Sequence, residues 1–280
     1  MVSNLTIAGI VTTLLITLLL PIILIIIWSL KNKGKRTWSA WLFGALGFFI
    51  MQLLIRVPLL SLLATTDGYM DFIKNHYIIY CLALAFTAGL FEVIARYAVA
   101  KIMRKDLTYE RGIAAGLGHG GIESMLLIGM TYLNNLLYAL MINTNSFDTI
   151  VNQANEAGVD TAGLLEVKTQ LIESSSSLFF LAGFERILTI VFHVAMSLLV
   201  CYFVAKKKTW LGIILCLALH TLVDFISSVV SGLGSEYLGN RISQNTSYII
   251  IYSLLAVIAI GSTILIRHIR REWKDNKAAI

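Results

Sequence analysis

The stretch Tyr77–Met103, YIIYCLALAFTAGLFEVIARYAVAKIM, has the length and apolar composition of a helix that crosses a membrane. Such a helix needs about 20 mostly apolar residues to span the hydrocarbon core. Two charged residues, Glu92 and Arg96, lie four positions apart in the interior of this stretch, before Lys101 at its end. An ionisable side chain near the bilayer centre costs at least about 2.5 kcal/mol on insertion scales, so this pair predicts a polar site inside the membrane.

The rest of the chain repeats this apolar pattern. Its 280 residues are 58% hydrophobic, with a mean hydropathy of +0.80, which excludes an ordinary soluble domain. We predict an all-α fold, a polytopic transmembrane bundle of about seven helices that forms a single integral membrane domain over residues 1–280. The runs that predict these helices are 4–28, 38–63, 77–103, 112–142, 178–205, 209–231 and 246–266. The first run is too long for a signal sequence, so we expect a retained anchor.

The basic residues predict the orientation of the bundle. Lys and Arg cluster after runs one, three, five and seven, whereas the loops between them are mostly acidic. Because positive loops stay in the cytoplasm, we expect the N-terminus outside and the C-terminus in the cytoplasm. Anionic lipid headgroups then account for the net charge of +6, and no nucleic-acid partner is predicted. The outer loop 143–177 includes a predicted short amphipathic helix at 161–173, lying at the outer surface.

Three glycines at spacing four, Gly112, Gly116 and Gly120, form a ladder of small residues at the start of the fourth predicted helix. Such ladders let two helix backbones approach closely within a membrane. We therefore predict that another helix packs tightly against this face, next to His119 and Glu123.

Acids and histidines interrupt four of the predicted helices. Three of the pairs are four residues apart and the fourth is eight residues apart, so the members of each pair project from about the same helix face and give each helix a polar stripe. The four sets are Glu92 with Arg96, His119 with Glu123, Glu185 with His193, and His220 with Asp224.

A rise of about 1.5 Å per residue gives each of these side chains a depth from the cytoplasmic helix end. Four of them share one predicted layer, at roughly 16 Å for Glu92 and roughly 18 Å for Glu123, His193 and His220.

The remaining polar residues fall outside this layer. His119, at roughly 12 Å, and Asp224, at roughly 24 Å, are expected one turn to either side of it. Glu185 is expected near the outer surface beside Arg186, and Arg56 is expected to extend outward to the interface.

This layer has two chemical interpretations. Imidazoles with carboxylates suit a divalent metal such as Zn²⁺, and a buried carboxylate suits a general base that activates water, so both predict hydrolysis. Chains of acids and histidines also relay protons, which makes a proton-coupled transporter the rival. The HExxH and Gly-x-Ser-x-Gly motifs of other proteases are absent from the sequence.

The motifs together resemble those of the YhfC family, which belongs with the CAAX prenyl proteases, the bacteriocin-processing proteases and the PrsW-like proteases. The resemblance covers roughly residues 77–231, a protease-like core. Its motifs are Glu92-Val-Ile-Ala-Arg96, Gly118-His119-Gly120-Gly121-Ile122-Glu123, Glu185-Arg186 with His193, and His220-Thr-Leu-Val-Asp224.

The resemblance implies a role for each motif. Glu92 and Arg96 resemble an ExxxR motif, whose glutamate activates water while the arginine holds it in place. Phe91 stands where the prenyl proteases have a second glutamate, which leaves Glu92 and Glu123 both open as the base. His220 and Asp224 resemble an HxxxN/D motif that orients water or stabilises the oxyanion.

The metal also stays open at this point. Glu123 stands where the family has the histidine of an FxxxH motif. We favour a glutamate-activated water without an obligatory metal. If Zn²⁺ binds, its predicted ligands are His119, Glu123, His193 and His220.

We therefore predict an intramembrane endopeptidase, glutamic-type or metalloprotease, in a bacterial cytoplasmic membrane. The predicted catalytic residues are Glu92, Arg96, Glu123, His193, His220 and Asp224, in a polar cavity between helices three to six. The expected partners are the lipid bilayer and a membrane protein or peptide substrate. The alternatives are the proton-coupled transporter and a non-catalytic scaffold, like the scaffold subunit of γ-secretase.

Overall fold

The computed structural model describes residues 1–278, with side chains described to Lys274, and its regular structure over these residues is entirely helical. This confirms the predicted all-α fold. The helices are α1 (Asn4–Lys31), α2 (Thr37–Phe48), α3 (Val57–Ala64), α4 (Tyr69–Asn75), α5 (Tyr77–Ile102), α6 (Tyr109–Glu123), α7 (Met130–Asn143), α8 (Phe147–Glu156), α9 (Ala162–Glu173), α10 (Ser176–Ala205), α11 (Thr209–Leu233) and α12 (Gln244–Ala278). Two π-helical segments, Phe49–Arg56 and Ser124–Gly129, and the 3₁₀ turn Glu236–Leu238 are the other helical elements of the described residues.

Seven helical stretches of the described residues are long and apolar enough to cross a membrane, which confirms the predicted number. Two of them are compound. The second span joins α2 and α3 through the first π-helical segment, and the fourth joins α6 and α7 through the second. A π-helical turn contains an extra residue, so each segment changes the direction in which the following side chains point.

One compact unit is formed by Met1–Ile23 together with Glu123–Ile187. Its apolar core includes Ile10 and Tyr132, and it also buries Phe147 of α8 and Leu171 of α9. The helix predicted at 161–173 is confirmed as α9, whereas α8 was not predicted. Because each of these short helices inserts an apolar side chain into the core, the stretch 143–177 is a packed part of this unit.

The second compact unit is formed by Leu24–Ile122 together with the chain from Leu188 onward. Within it, α5 packs along α11. The predicted close contact of the glycine ladder is confirmed, with α10 as the partner helix. A Cβ atom added to Gly116 would lie 2.6 Å from the Cα of Val194, and one added to Gly120 would lie 2.8 Å from the Cβ of His193.

Candidate active site

Glu92 lies at the centre of the buried polar cluster of the second unit, on α5, and only 4% of the residue is exposed. Its Oε2 atom lies 3.1 Å from Nε2 of His119, 3.6 Å from Nδ1 of His193 and 2.8 Å from Nε2 of His220. These histidines come from α6, α10 and α11, so four different helices meet at one carboxylate oxygen. We call Glu92, Arg96 and these three histidines the Glu92 centre.

Arg96 lies one turn after Glu92 on α5 and supplies the compensating positive charge. Its Nη2 donates to Oε2 of Glu92 at 2.8 Å and lies 2.8 Å from Nδ1 of His193. A guanidinium has no acceptor, so this nitrogen of His193 accepts the hydrogen bond. The Nε atom of Arg96 donates to Oγ of Ser197 on α10 at 3.3 Å, which fixes the side chain between the two helices.

His119 contacts Glu92 directly, although the depth estimate predicted it one turn away. The estimate placed Cα positions only, and a histidine side chain reaches far enough to span a turn. The ring stacks on His193 with centroids 5.5 Å apart and meets the edge of Phe48 at 5.1 Å. Gly120 makes this stacking possible, since the lack of a side chain there lets α6 lie against the Cβ and ring of His193.

Gln52 contacts the Glu92 centre, although it was not among the predicted site residues. It is the buried residue of the first π-helical segment, and its Nε2 donates to Oε1 of Glu92 at 3.1 Å. Its own Oε1 accepts from Nη1 of Arg56 at 3.3 Å. The spacing of four between two polar residues in an apolar run was the available signal for this pair.

Arg56 was expected to extend outward, and this expectation is wrong. Its Nη2 donates to the carbonyl of Leu84 at 2.9 Å, and its Nε donates to Oγ1 of Thr87 at 3.3 Å. These two acceptors on α5 and the amide oxygen of Gln52 give each of the three guanidinium nitrogens a hydrogen-bond partner inside the protein. Arg56 therefore holds Gln52 in place against Glu92.

His220 lies between two carboxylates. Its Nε2 is the nitrogen beside Glu92, and its Nδ1 lies 3.2 Å from Oδ2 of Asp224, one turn later on α11. The side chain of Asp224 is 36% exposed, whereas that of His220 is 5% exposed. Asp224 thus orients the ring from the accessible side of the centre.

Glu123 and Glu185 share a partner in the first unit. The Nη1 of Arg186 donates to Oε1 of Glu123 at 3.2 Å, and its Nη2 pairs with Glu185. Glu123 is the last residue of α6 and follows His119 by one turn. Its assignment as a base or metal ligand stays a prediction.

The donor set of the centre fits a divalent cation. Glu92, His119 and His193 each offer one ligand atom, and these atoms lie within 4.8 Å of one another. Two imidazoles and a carboxylate are the protein ligands of one class of catalytic zinc sites. Since Arg96 lies on Nδ1 of His193, Nε2 is the nitrogen that a cation reaches without displacing Arg96.

The fold and this cluster define a multi-pass membrane protein with a buried carboxylate surrounded by imidazoles. The chain belongs to the YhfC intramembrane metalloprotease family, which it matches over residues 16–238. It is 30% identical over 210 residues to a Bacillus subtilis (strain 168) protein described as uncharacterized membrane protein YhfC. That alignment covers 75% of this chain and 79% of the relative, which confirms the predicted family. No solved structure matches the chain.

Proposed function

We propose that this chain is an intramembrane endopeptidase of the bacterial cytoplasmic membrane, which hydrolyses a membrane protein or peptide at the Glu92 centre. One observation carries the proposal: three imidazoles from three helices lie within 3.6 Å of the oxygen of one buried carboxylate. Ionisable groups at membrane depth are costly, and their convergence on a shared site is the signature of function.

In the proposed reaction, Glu92 acts as the general base. It takes a proton from a water molecule, and the resulting hydroxide attacks the carbonyl carbon of the scissile bond. The tetrahedral intermediate then collapses, the C–N bond breaks, and the leaving amine takes the proton from Glu92. The products are a carboxylic acid and an amine, so the water molecule is fully consumed.

The residues around Glu92 have distinct proposed roles. Gln52 and Arg96 hold the carboxylate by one oxygen each, which fixes its orientation before the substrate binds. His220, oriented by Asp224, stabilises the negative charge that develops on the carbonyl oxygen.

The convergence of three imidazoles supports Glu92 as the base. Glu123 accepts a hydrogen bond from Arg186, whose other amino group pairs with Glu185, and this set lies within the first unit. Glu92 is the carboxylate on which imidazoles from α6, α10 and α11 converge. Glu123 is therefore the second candidate, and both acids belong in the experiment.

The family description and the donor set support a metal-dependent reaction, in which His119 and His193 are proposed ligands and Glu92 stays the base. When bound, a cation such as Zn²⁺ supplies Lewis-acid polarisation and a more acidic water. Glu123 and His220 are the further proposed ligands. Arg96, Gln52 and Asp224 then keep the ligands oriented, as outer partners do in other metal sites.

The proposal is tested with the purified full chain in proteoliposomes. The proteoliposomes are incubated with solubilised bacterial membrane proteins, with and without added Zn²⁺. New peptide termini are then identified by mass spectrometry. Wild type should generate specific new termini. Glu92→Gln should lower their rate of formation by about 10²–10⁴-fold, the usual contribution of a general base.

Glu166→Gln is the matched control, because it makes the same chemical change at an exposed acid of α9. It should cleave at the wild-type rate. Glu123→Gln distinguishes the two candidate bases. The variant whose cleavage rate falls further below wild type identifies the base. Cleavage by Glu92→Gln at the rate of this control would refute Glu92 as the base, and the absence of any wild-type cleavage would refute the proteolytic function.

A further inference from the structure

A cavity of about 500 Å³ opens where the α5–α6 connection meets the α10–α11 connection, in the second unit. Four cations line it, one from the last turn of α5, two from the α5–α6 connection and one from the α10–α11 connection. They are Lys101, Arg104, Lys105 and Lys207. Its volume lies within the range of small-ligand pockets.

The positive charge of this cavity is not neutralised by the protein. No acid is among its lining residues, and no carboxylate in the described part of the chain lies within ion-pair distance of these four cations. The nearby acid of the connection, Asp106, is engaged by Arg36 at 3.1 Å and by Arg111. The four positive charges around this cavity repel each other, and a bound anion would reduce that repulsion.

The backbone adds to this preference. Helix α11 begins at Thr209, on the wall of the cavity, and the N-terminal end of a helix carries a partial positive charge. Lys207 adopts a left-handed backbone conformation with φ of 58°, which is uncommon for a residue other than glycine. This conformation forms the turn that brings Lys207 to the cavity.

The cavity lies at the ends of three spans, at the level expected for lipid headgroups. The span ends around it expose large apolar side chains, with Ile102 64% and Trp210 76% accessible. Tryptophan at a span end is typical of the membrane interface, and exposed apolar side chains there can contact acyl chains. A ligand with a charged head and apolar tails matches both surfaces.

We propose that this cavity binds the phosphate headgroup of an anionic phospholipid, such as phosphatidylglycerol. Basic pockets between transmembrane helices recognise such headgroups. The bound lipid would bridge the connections that follow α5 and α10, the helices that carry Glu92 and His193. This site is separate from the proposed reaction, and its test does not depend on proteolysis.

The test is a binding titration of the detergent-purified full chain by native mass spectrometry. The probes are dioctanoyl phosphatidylglycerol, dioctanoyl phosphatidylcholine, whose choline cancels the charge, and inorganic phosphate. Wild type should bind the anionic lipid at least about tenfold more tightly than either of the others. The double variant with Arg104→Gln and Lys105→Gln should lose about 30-fold in affinity for phosphatidylglycerol, as expected for two cations at a membrane surface.

The matched control carries Lys206→Gln and Lys208→Gln, which remove the same charge from the α10–α11 connection, on either side of Lys207, at residues that do not line the cavity. Its affinity should stay within about twofold of wild type, because its charges lie outside the cavity. Equal losses in both double variants would overturn the proposal, since they would show unspecific attraction. Equal binding of the two lipids, or equally tight binding of inorganic phosphate, would also overturn it.

Discussion

Arg96 and Glu92 form an ion pair at 2.8 Å in which the two side chains are only 1% and 6% exposed. Both residues lie on α5, within a span that is otherwise mostly apolar. Neither charge can turn to water, so each depends on the other and on the polar atoms around them. This mutual dependence makes the pair the most sensitive contact of the Glu92 centre.

Replacing Arg96 by Met should lower the free energy of unfolding by about 3–5 kcal/mol, because it leaves the charge of Glu92 buried without its partner. Reversible unfolding in mixed micelles with increasing denaturing detergent measures this change. Arg36→Met is the control, since Arg36 pairs with Asp106 at the surface with 72% of its side chain exposed. Its cost should stay below about 1 kcal/mol, and equal costs would contradict the argument.

Replacing Gln52 by Met keeps the length of the side chain and removes its hydrogen bond to Glu92. A hydrogen bond to a charged group contributes about 1.5–3 kcal/mol, so the same unfolding measurement should show a loss of that size. In a double-mutant cycle with Glu92→Gln, the two changes should couple by at least about 0.5 kcal/mol. Gln170→Met, at an exposed position of α9, should change stability by less than about 0.5 kcal/mol. Additive effects at Gln52 and Glu92 would mean that their contact contributes nothing.

Gly120→Ala should destabilise the protein by more than about 1 kcal/mol, because the new methyl group would lie 2.8 Å from the Cβ of His193. Gly261→Ala makes the same change in α12, where an added Cβ meets nothing within 4 Å. That variant should be neutral or stabilised by about 0.5–1 kcal/mol through helix propensity. Equal effects of the two substitutions on unfolding would contradict the close contact between α6 and α10.

A metal measurement tests the proposed ligands independently of any substrate. The purified wild type, loaded with Zn²⁺ and dialysed, should retain about one ion per chain by plasma mass spectrometry. His119→Ala should weaken binding by more than about 100-fold, since loss of an outer partner alone costs 10–100-fold. His76→Ala, at an exposed position before α5, should bind like wild type. Failure of the wild type to retain any ion would refute the proposed metal ligands.

The proposed orientation predicts which ends a label can reach from outside the cell. A membrane-impermeant maleimide should label Ser3→Cys in intact cells, and it should label Lys33→Cys only after lysis. The native cysteines Cys81, Cys201 and Cys216 are buried, so they should give little background. The opposite labelling pattern would show that the N-terminus lies in the cytoplasm.

Several features could be predicted from the sequence because each depends on a local pattern. The seven spans follow from apolar length, and the contact of Gly120 with α10 follows from small residues at spacing four. The convergence of Glu92, His193 and His220 follows from equal depth in adjacent spans. These patterns fix where a residue lies along its helix axis.

The missed features depend on rotation about the helix axis and on side-chain reach. Gln52 points at Glu92 from a π-helical segment, and a periodicity of 3.6 residues does not describe that segment. His119 reaches Glu92 across a full turn, which a depth estimate from Cα positions ignores. Arg56 donates hydrogen bonds to Leu84 and Thr87 on α5, and no pattern in the sequence predicts these acceptors.

The π-helical segment Phe49–Arg56 also makes this part of the chain unusually sensitive to a deletion. Removing one residue from it would favour a regular α-helix, and the side chains of the segment that follow the deletion would turn by up to about 100° relative to α5. Deleting Ile50 would thus carry the amide of Gln52 away from Glu92 without touching any polar residue. A frame-preserving loss of one apolar amino acid can therefore remove a contact of the centre while every one of its polar residues is still present.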